Sequence, residues 1–160
     1  GFLYGLEDLI RRFDPLYIGS ASVKPEVFET IEFWNIWDLK LSETASRFEV
    51  GTPSFYSFVG AAAALKLLLN VGIDNISKRV LALTSRLIEA VKQRGLRLLT
   101  PSEPTECRSG VVNFLIDKPE ERVKRLNEKG IIVSARSRGI RVSPHFYNTE
   151  EEIDSVIREL

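Results

Sequence analysis

Two short segments of this sequence carry residue types that could bind a small anion. In the first, a glycine, a threonine and a proline precede a long apolar stretch, in the order Arg47-Phe48-Glu49-Val50-Gly51-Thr52-Pro53. This order predicts a helix with Thr52 as its N-cap and Pro53 at its first position. Because the first N–H groups of a helix have no internal partners, Gly51 and Thr52 could bind a phosphate oxygen there. The alternative is that Thr52 only caps its own helix.

The second segment places an arginine on a predicted strand, Gly139 to Ser143. Alternation along the strand predicts that Arg141, Ser143 and His145 share one face, while the apolar residues between them point to the other. A guanidinium held on a sheet in this way suits bidentate binding of a carboxylate. Arg141 is therefore a candidate carboxylate ligand.

The surroundings of Arg141 leave two interpretations open. Arg136 and Arg138 precede it and could add positive potential to the same place, or all three arginines could form a solvated surface. Pro144 cannot donate a ladder hydrogen bond, which predicts that this strand end is a sheet edge or a bulge. Such a position would leave Arg141 open to a ligand.

Other chemistry has little support in the sequence. His145 is the single histidine, so we predict no metal site and no mechanism that needs a pair of histidines. Cys107 is the single cysteine, which excludes an internal disulfide and favours a reducing compartment, so we expect a cytoplasmic protein. Because no histidine is near it in the sequence to activate it, we expect Cys107 to have no catalytic role.

Composition is typical of an ordinary globular protein and excludes two classes of partner. The chain has 160 residues, of which 44% are hydrophobic, and its 22 basic and 22 acidic residues cancel. Without excess positive charge we expect neither nucleic-acid nor membrane-surface binding. The apolar run 55–69 is too short to span a bilayer and predicts a buried helix. The absence of an initiator methionine predicts a piece of a longer protein.

The first half of the chain predicts one strand and two helices. Gly1 to Gly5 suits a buried strand, and residues 6–41 are irregular, so either they hide short elements or they pack against protein that is absent here; we favour the latter. A helix from about Pro53 to Asn70 ends before Gly72. A second helix, capped by Asp74 or Asn75, ends at Gly95.

The second half predicts a small α+β layer. Strands are expected at 96–99, 111–116, 131–133 and 139–143, with residues 134–138 as a polar tip between the last two. Asp117 is predicted to cap a helix that ends before Gly130. Thr149 and Glu152 form a capping box for a final helix. Helices on one side of a sheet complete the predicted layer.

Two motifs together resemble a known family. RFEVGTP before a helix, and GIRVSPHFYNTEEEID near the end, are similar in order and separation to the class V aminotransferases, pyridoxal-phosphate enzymes that include isopenicillin-N-epimerase-like proteins and cysteine desulfurases. The resemblance implies fold type I, an α/β large domain with a small C-terminal α+β domain, and a homodimer. Residues 1–72 would then be the end of the large domain with a connecting helix, and 73–160 a linking helix with the small domain.

The resemblance also implies roles for three residues. Gly51 and Thr52 would contact the cofactor phosphate of the neighbouring subunit, and Arg141 would bind the carboxylate of an amino-acid or keto-acid substrate. In family order, the lysine that forms the Schiff base and the other cofactor-ring contacts precede Gly1, in the missing N-terminal part of the large domain. We therefore assign no catalytic residue to this chain and expect it to be inactive by itself.

The absence of one cysteine narrows the range of reactions that we expect of the full-length enzyme. Cysteine desulfurases that resemble this chain carry a catalytic cysteine in a loop shortly before the carboxylate arginine, whereas residues 134–140 contain none. We therefore expect transamination, epimerisation or a side-chain lyase reaction on an amino acid. The competing hypothesis is a catalytically inactive fragment that acts only as a folding or self-association module.

Overall fold

The computed structural model describes residues 2–30, 33–34 and 37–160, with the side chains of 27–36 left aside. Its contacts divide the chain into two compact units, Gly1–Lys66 and Leu67–Leu160. The domain boundary predicted between residues 72 and 73 remains a prediction.

The first unit contains short elements that the sequence did not reveal. They are helix α1 (Glu7–Arg12), a 3-10 helix (Pro25–Val27), the antiparallel strands β1 (Phe28–Thr30) and β2 (Phe33–Trp34), and a second 3-10 helix (Ala45–Phe48). The strand predicted at the start is wrong over residues 2–5, and Gly1 lies outside the described residues. Of the two explanations offered for the irregular stretch 6–41, hidden short elements are therefore present. Acidic residues in the first turn of α1 and basic ones in its last turn favour that helix.

Helix α2 (Phe55–Val71) begins later than predicted. The N–H of Phe58 donates to the Ser54 carbonyl oxygen over 3.1 Å, and the Ser54 and Ser57 hydroxyl oxygens are 2.9 Å apart. Ser54 therefore occupies the flanking position, and the prediction of Thr52 as N-cap with Pro53 inside the helix is wrong. The chain needs three more residues after Gly51 before it becomes helical.

The prediction that the apolar run 55–69 is buried is also wrong for this chain. No residue of α2 is buried, and Tyr56 and Val59 are 93% and 71% exposed. The run is apolar around its whole circumference, a pattern typical of a helix enclosed by other protein. The described residues leave it uncovered.

The second unit is a three-stranded sheet covered by helices. Its elements are α3 (Ile73–Gln93), β3 (Val112–Leu115), α4 (Pro119–Glu128), β4 (Ser134–Arg136), β5 (Gly139–Val142) and α5 (Glu150–Glu159). The strands are antiparallel in the order β3-β5-β4. Among the described residues no single helix is long and apolar enough to cross a membrane. Helices α2 and α3 taken together have sufficient length and apolar composition, but the chain bends between them.

The core of this unit confirms the predicted α+β layer. Residues of α3, α4 and α5 pack on one face of the sheet, and the periodic positions Leu83, Leu87 and Val91 of α3 are buried there. The sheet contributes Phe114 and Ile140, both fully buried. The predicted 3.6-residue period of α3 therefore faces the core as expected.

Strand positions and two helix caps differ from prediction. The expected strand 131–133 is wrong: the ladder forms at Ser134–Arg136, and 96–99 contributes only a single bridge, Leu98 to Phe114. Helix α3 begins after Gly72 and α4 after Lys118, without a side-chain cap from Asp74, Asn75 or Asp117. Periodicity and residue type alone did not locate the strands, because cross-strand pairing decides their positions.

The turn between β4 and β5 contains two residues, Ser137 and Arg138, with φ of 49° and 65°. Positive φ at both central residues is the geometry that matches the twist of a two-residue hairpin. The next residue is a glycine for a different reason. A Cβ on Gly139 would lie 2.1 Å from the Phe114 carbonyl oxygen, so β3 and β5 approach closely at this point.

The capping box of α5 is confirmed. The Glu152 N–H donates to the Thr149 hydroxyl over 3.2 Å, and the Thr149 N–H donates to the Glu152 carboxylate over 2.9 Å. The Thr149 N–H, with the Asn148 amide, holds the pKa of Glu152 below its ordinary value. The box therefore contributes stability above the ordinary carboxyl pKa, and that part is lost as the pH falls through the lowered pKa.

Removing the box is expected to destabilise the chain measurably. Thr149→Ala should lower the free energy of unfolding by about 1 kcal/mol, because it leaves the Glu152 N–H without its acceptor. Glu152→Gln should cost stability at neutral pH but not in strong acid, where the wild-type carboxyl is protonated too. Urea unfolding at both pH values checks this. A cost of Glu152→Gln that is equal at both would contradict the assignment.

Candidate functional site

Arg141 lies on the central strand of the sheet. It is paired with Asn113 of β3 on one side and with Ser134 of β4 on the other. The prediction of an edge or a bulge is therefore wrong. Strand β5 ends at Val142, so Pro144 lies beyond the ladder and its missing N–H breaks no hydrogen bond.

The predicted division between the two faces of this strand agrees with the observed burial. Ile140 and Val142 are buried in the core, Arg141 is half-buried and Ser143 is exposed. Because directly paired residues lie on the same face, Asn113 and Ser134 stand beside Arg141 on the face away from the helices. The guanidinium thus extends from β5, the strand that is paired on both sides.

The Arg141 guanidinium has no partner of its own in the part of the chain that the structure describes. It makes no hydrogen bond and no ion pair there, and its Nε is buried without an acceptor. The Oδ1 of Asn113, the cross-strand neighbour, is likewise buried without a donor. A buried polar atom left unpaired costs stability, so this pair of atoms is suited to a polar ligand. A carboxylate would supply the missing acceptors for Arg141.

The two neighbouring arginines differ in their surroundings. Arg136 follows Ser134 by two positions, which puts it on the same face as Arg141, and its Nη1 donates to the Ala135 carbonyl oxygen over 2.9 Å. Arg138 lies in the two-residue turn. Both are exposed. Arg141 is thus the half-buried member of the three.

Gly51 and Thr52 lie in an exposed segment before α2 that is neither helix nor strand. A Cβ on Gly51 would meet nothing within 4 Å, and its φ lies outside the left-handed region, so neither contact nor conformation within the described chain requires glycine there. Among the described residues, the backbone N–H groups of Gly51, Thr52 and Ser54 have no acceptor. The segment therefore presents several free donors and space for a ligand to approach them.

Arg47, in the same motif, is a structural residue. Its side chain is 9% exposed, and Nη1 donates to the carbonyl oxygens of Ile10 and Arg11 over 3.2 Å each. Its Nη2 lies 3.1 Å from the Asp14 carboxylate. The carbonyls at the end of α1 lack helical partners, so Arg47 satisfies them.

The remaining candidates contribute little to a site. The His145 ring stacks on Tyr147 at 5.0 Å, and its Nδ1 is buried without a partner. Cys107 is exposed at the end of a 3-10 helix (Thr105–Cys107). Its neighbour Arg108 points to α3 instead, where Nη2 donates to the Ser85 hydroxyl over 2.8 Å. The described residues contain no group of three or more metal-ligating side chains.

Sequence reasoning missed Asn113, although a signal was present. The predicted strand 111–116 is otherwise apolar, and asparagine is depleted in strands. A single amide in such a strand indicates a specific polar requirement. Which residue it faces became visible only with the register that pairs it with Arg141.

Comparison with known proteins gives relatives along the whole chain. The family described as aminotransferase class-V matches residues 1–156. The uncharacterized aminotransferase YcbU of Bacillus subtilis is 33% identical over 124 residues, covering 78% of this chain and 33% of that protein. A probable cysteine desulfurase of Staphylococcus aureus is 27% identical over 176 residues, covering 100% of this chain and 40% of that protein. The chain thus spans two fifths or less of the length of these relatives.

Solved structures show the same fold. A cysteine desulfurase of Thermococcus onnurineus superposes with a TM-score of 0.78 at 23% identity, over 95% of this chain and 40% of that one. The cystine C-S lyase C-DES superposes with a TM-score of 0.76 at 24% identity, over 94% and 39%. These likenesses confirm the predicted fold, and the matched family confirms the predicted resemblance. The chain belongs to the aminotransferase class-V family.

Proposed function

We propose that this chain is the C-terminal portion of a pyridoxal-phosphate enzyme that acts on an amino acid, with Arg141 as the ligand of the substrate carboxylate. Family membership implies the cofactor, and one solved relative is described as carrying glycine covalently linked to it. The observation that carries the substrate role is the half-buried Arg141 guanidinium, unpartnered within the described residues. The single cysteine supports a cytoplasmic location.

Gly51 and Thr52 are proposed to contact the cofactor phosphate of the neighbouring subunit in a homodimer. Two features of this segment suit a phosphate group: the backbone N–H groups of Gly51 and Thr52 without an acceptor among the described residues, and the open space around Gly51. When bound, the cofactor withdraws electrons from the α-carbon of the substrate. The chain's own residues orient the two ligands: Arg141 holds the carboxylate, and the segment at Gly51 holds the phosphate.

The reaction we favour is transamination, epimerisation or a side-chain lyase reaction on an amino acid, rather than desulfuration of cysteine. The turn between β4 and β5 has two residues and contains no cysteine, and Cys107 precedes Arg141 by a whole helix and two strands. The name of the Bacillus relative supports an aminotransferase, and the names of the staphylococcal relatives support a desulfurase. Sulfide release from cysteine by the full-length enzyme, measured beside keto-acid formation, decides between them. Sulfide as the main product would overturn our preference.

A non-catalytic role of the isolated chain is the second candidate, and the exposed apolar surface of α2 favours it. Such a chain would self-associate and bind no cofactor. Sedimentation of the chain, combined with an absorbance scan after adding pyridoxal phosphate, tests both properties. A visible absorbance band that disappears on replacing one lysine would contradict the expectation that the chain lacks a competent lysine.

The phosphate role predicts a selective effect of Thr52→Val in the full-length enzyme. The change removes a hydroxyl while keeping the branched shape, so we expect pyridoxal-phosphate affinity to fall about tenfold, as for the loss of one charge-assisted hydrogen bond. Thr52 is exposed and is not a helix cap, so apoenzyme stability should stay within about 0.5 kcal/mol. Cofactor titration and urea unfolding measure the two quantities. Unchanged cofactor affinity would exclude the phosphate role of the Thr52 hydroxyl.

A further inference from the structure

Two residues that are remote in sequence from Gly51 and Thr52, and a third from the same motif, hold the backbone that leads into this segment. We propose that Ser22, Gly19 and Arg47 form a clamp that positions the segment Gly51–Thr52 for cofactor binding. The inference rests on the proposed phosphate role of that segment and assigns positioning residues to it. All of these residues belong to the first compact unit.

Ser22 is the centre of the clamp. It is fully buried, and its hydroxyl donates to the Glu49 carbonyl oxygen over 2.7 Å while accepting from the Gly19 N–H over 3.1 Å. Its own N–H donates to the Gly19 carbonyl oxygen, and its carbonyl oxygen accepts from the Ser42 N–H. One buried serine thus joins three chain segments, and one of its bonds ends two residues before Gly51.

Gly19 lets the two segments approach closely. A Cβ at this position would lie 1.7 Å from the Val50 carbonyl oxygen and 2.6 Å from the Val50 carbonyl carbon. Because the colliding atoms belong to the backbone, any side chain there would push Val50 away. This close approach fixes the residue immediately before Gly51, whereas Gly51 itself has open space around it.

Arg47 fixes the other end of the motif. Its guanidinium hydrogen-bonds to carbonyl oxygens in the last turn of α1 and to Asp14. Arg47 is the first residue of the motif and lies four residues before Gly51. The chain is therefore held at Arg47, Glu49 and Val50 and is released at Gly51. A segment fixed in this way presents its free N–H groups without the entropy cost of ordering them when a ligand binds.

The geometry explains why an exposed segment can hold a ligand without being helical. The first turn of a helix orients its N–H groups through the helical backbone, but α2 begins only at Phe55. At Gly51 and Thr52 the orientation must come from outside the segment. The buried Ser22 hydroxyl and the packed Gly19 backbone supply it.

The test compares Ser22→Ala with Ser20→Ala in the full-length enzyme, because Ser20 is an exposed serine of the same stretch. Cleavage of the apoenzyme after Glu49 by a glutamate-specific protease reports the mobility of the segment, and cofactor titration reports affinity. Ser22→Ala should raise the cleavage rate after Glu49 and the cofactor dissociation constant about tenfold each, as for the loss of one buried hydrogen bond. Cleavage after Glu128 in α4 should not change. Ser20→Ala should change none of these.

Several outcomes would overturn the inference. If cleavage accelerates equally after Glu49 and Glu128, Ser22 serves general stability and not positioning. If Thr52→Val weakens cofactor binding but Ser22→Ala does not, the clamp is excluded while the phosphate role stands. If Ser22→Ala speeds cleavage after Glu49 but neither Ser22→Ala nor Thr52→Val weakens cofactor binding, the segment does not bind the phosphate, and the phosphate role fails together with the functional meaning of the clamp. Should Ser22→Ala fail to fold, Ser22→Cys replaces the hydroxyl with a somewhat larger thiol, a weak donor, and is expected to show the same selective pattern.

Discussion

Replacing Arg141 with alanine in the full-length enzyme is expected to raise the amino-acid concentration at half-saturation tenfold or more. This corresponds to a loss of about 1.4 kcal/mol or more of binding free energy. The loss follows from removing the fork of donors that the substrate carboxylate would occupy. The free energy of unfolding of the apoenzyme, by contrast, should not fall. Within the described residues the guanidinium has no partner, so the apoenzyme should be at least as stable after the change.

A spectral titration with amino acid and urea unfolding of the apoenzyme measure the two effects. Arg136→Ala is the matched control, because it removes the same charge from the same face of the sheet at an exposed position. It should leave half-saturation nearly unchanged. Arg141→Lys should recover only part of the affinity, because a point charge cannot bind a carboxylate through two parallel bonds. An unchanged titration for Arg141→Ala would exclude the carboxylate role, and a large loss of stability would indicate a structural arginine.

Gly139→Ala is expected to have the largest effect on stability, about 3 kcal/mol of unfolding free energy. Its Cβ would lie 2.1 Å from the Phe114 carbonyl oxygen, and the obstacle is the backbone of a paired strand, which cannot rotate away. The ladder between β3 and β5 would have to open near the turn. Since Arg141 lies two residues along the same strand, amino-acid binding by the full-length enzyme should weaken as well.

Gly60→Ala is the matched control for that change. Gly60 lies inside α2, where a Cβ would meet nothing within 4 Å, so the added methyl group should stabilise the chain by about 0.5–1 kcal/mol. Urea unfolding of the 160-residue chain measures both variants. A Gly139→Ala variant as stable as the wild type would show that β3 and β5 are not in close contact at this position.

Sequence reasoning succeeded where neighbouring residues alone decide the structure. The period of α3 and the capping box at Thr149 and Glu152 depend on residues three or four positions apart, whose contacts form within one helix. The same holds for the alternation around Arg141, which follows from the geometry of any strand. Local patterns therefore located these elements and the guanidinium that the proposed function uses.

Where the sequence misled, contacts between distant residues decide the outcome. Residues 134–136 are as polar as a turn, yet they form a strand because β5 pairs with them, and this pairing makes β5 central. Thr52 and Pro53 have the types of a helix start, but α2 begins at Phe55. No local pattern could show the close approach of Gly19 to Val50, since that contact joins segments about thirty residues apart.

The amino-acid sequence by itself determined the family of this protein, its helices in the second unit and the identity of Arg141, Gly51 and Thr52 as candidates. These depend on residue types at fixed spacing. Only the tertiary structure decided that Arg141 stands unpartnered beside Asn113 on a central strand, and that Ser22 holds the chain before Gly51. The physical reason is that pairing register, burial and the satisfaction of polar groups are properties of segments brought together by folding.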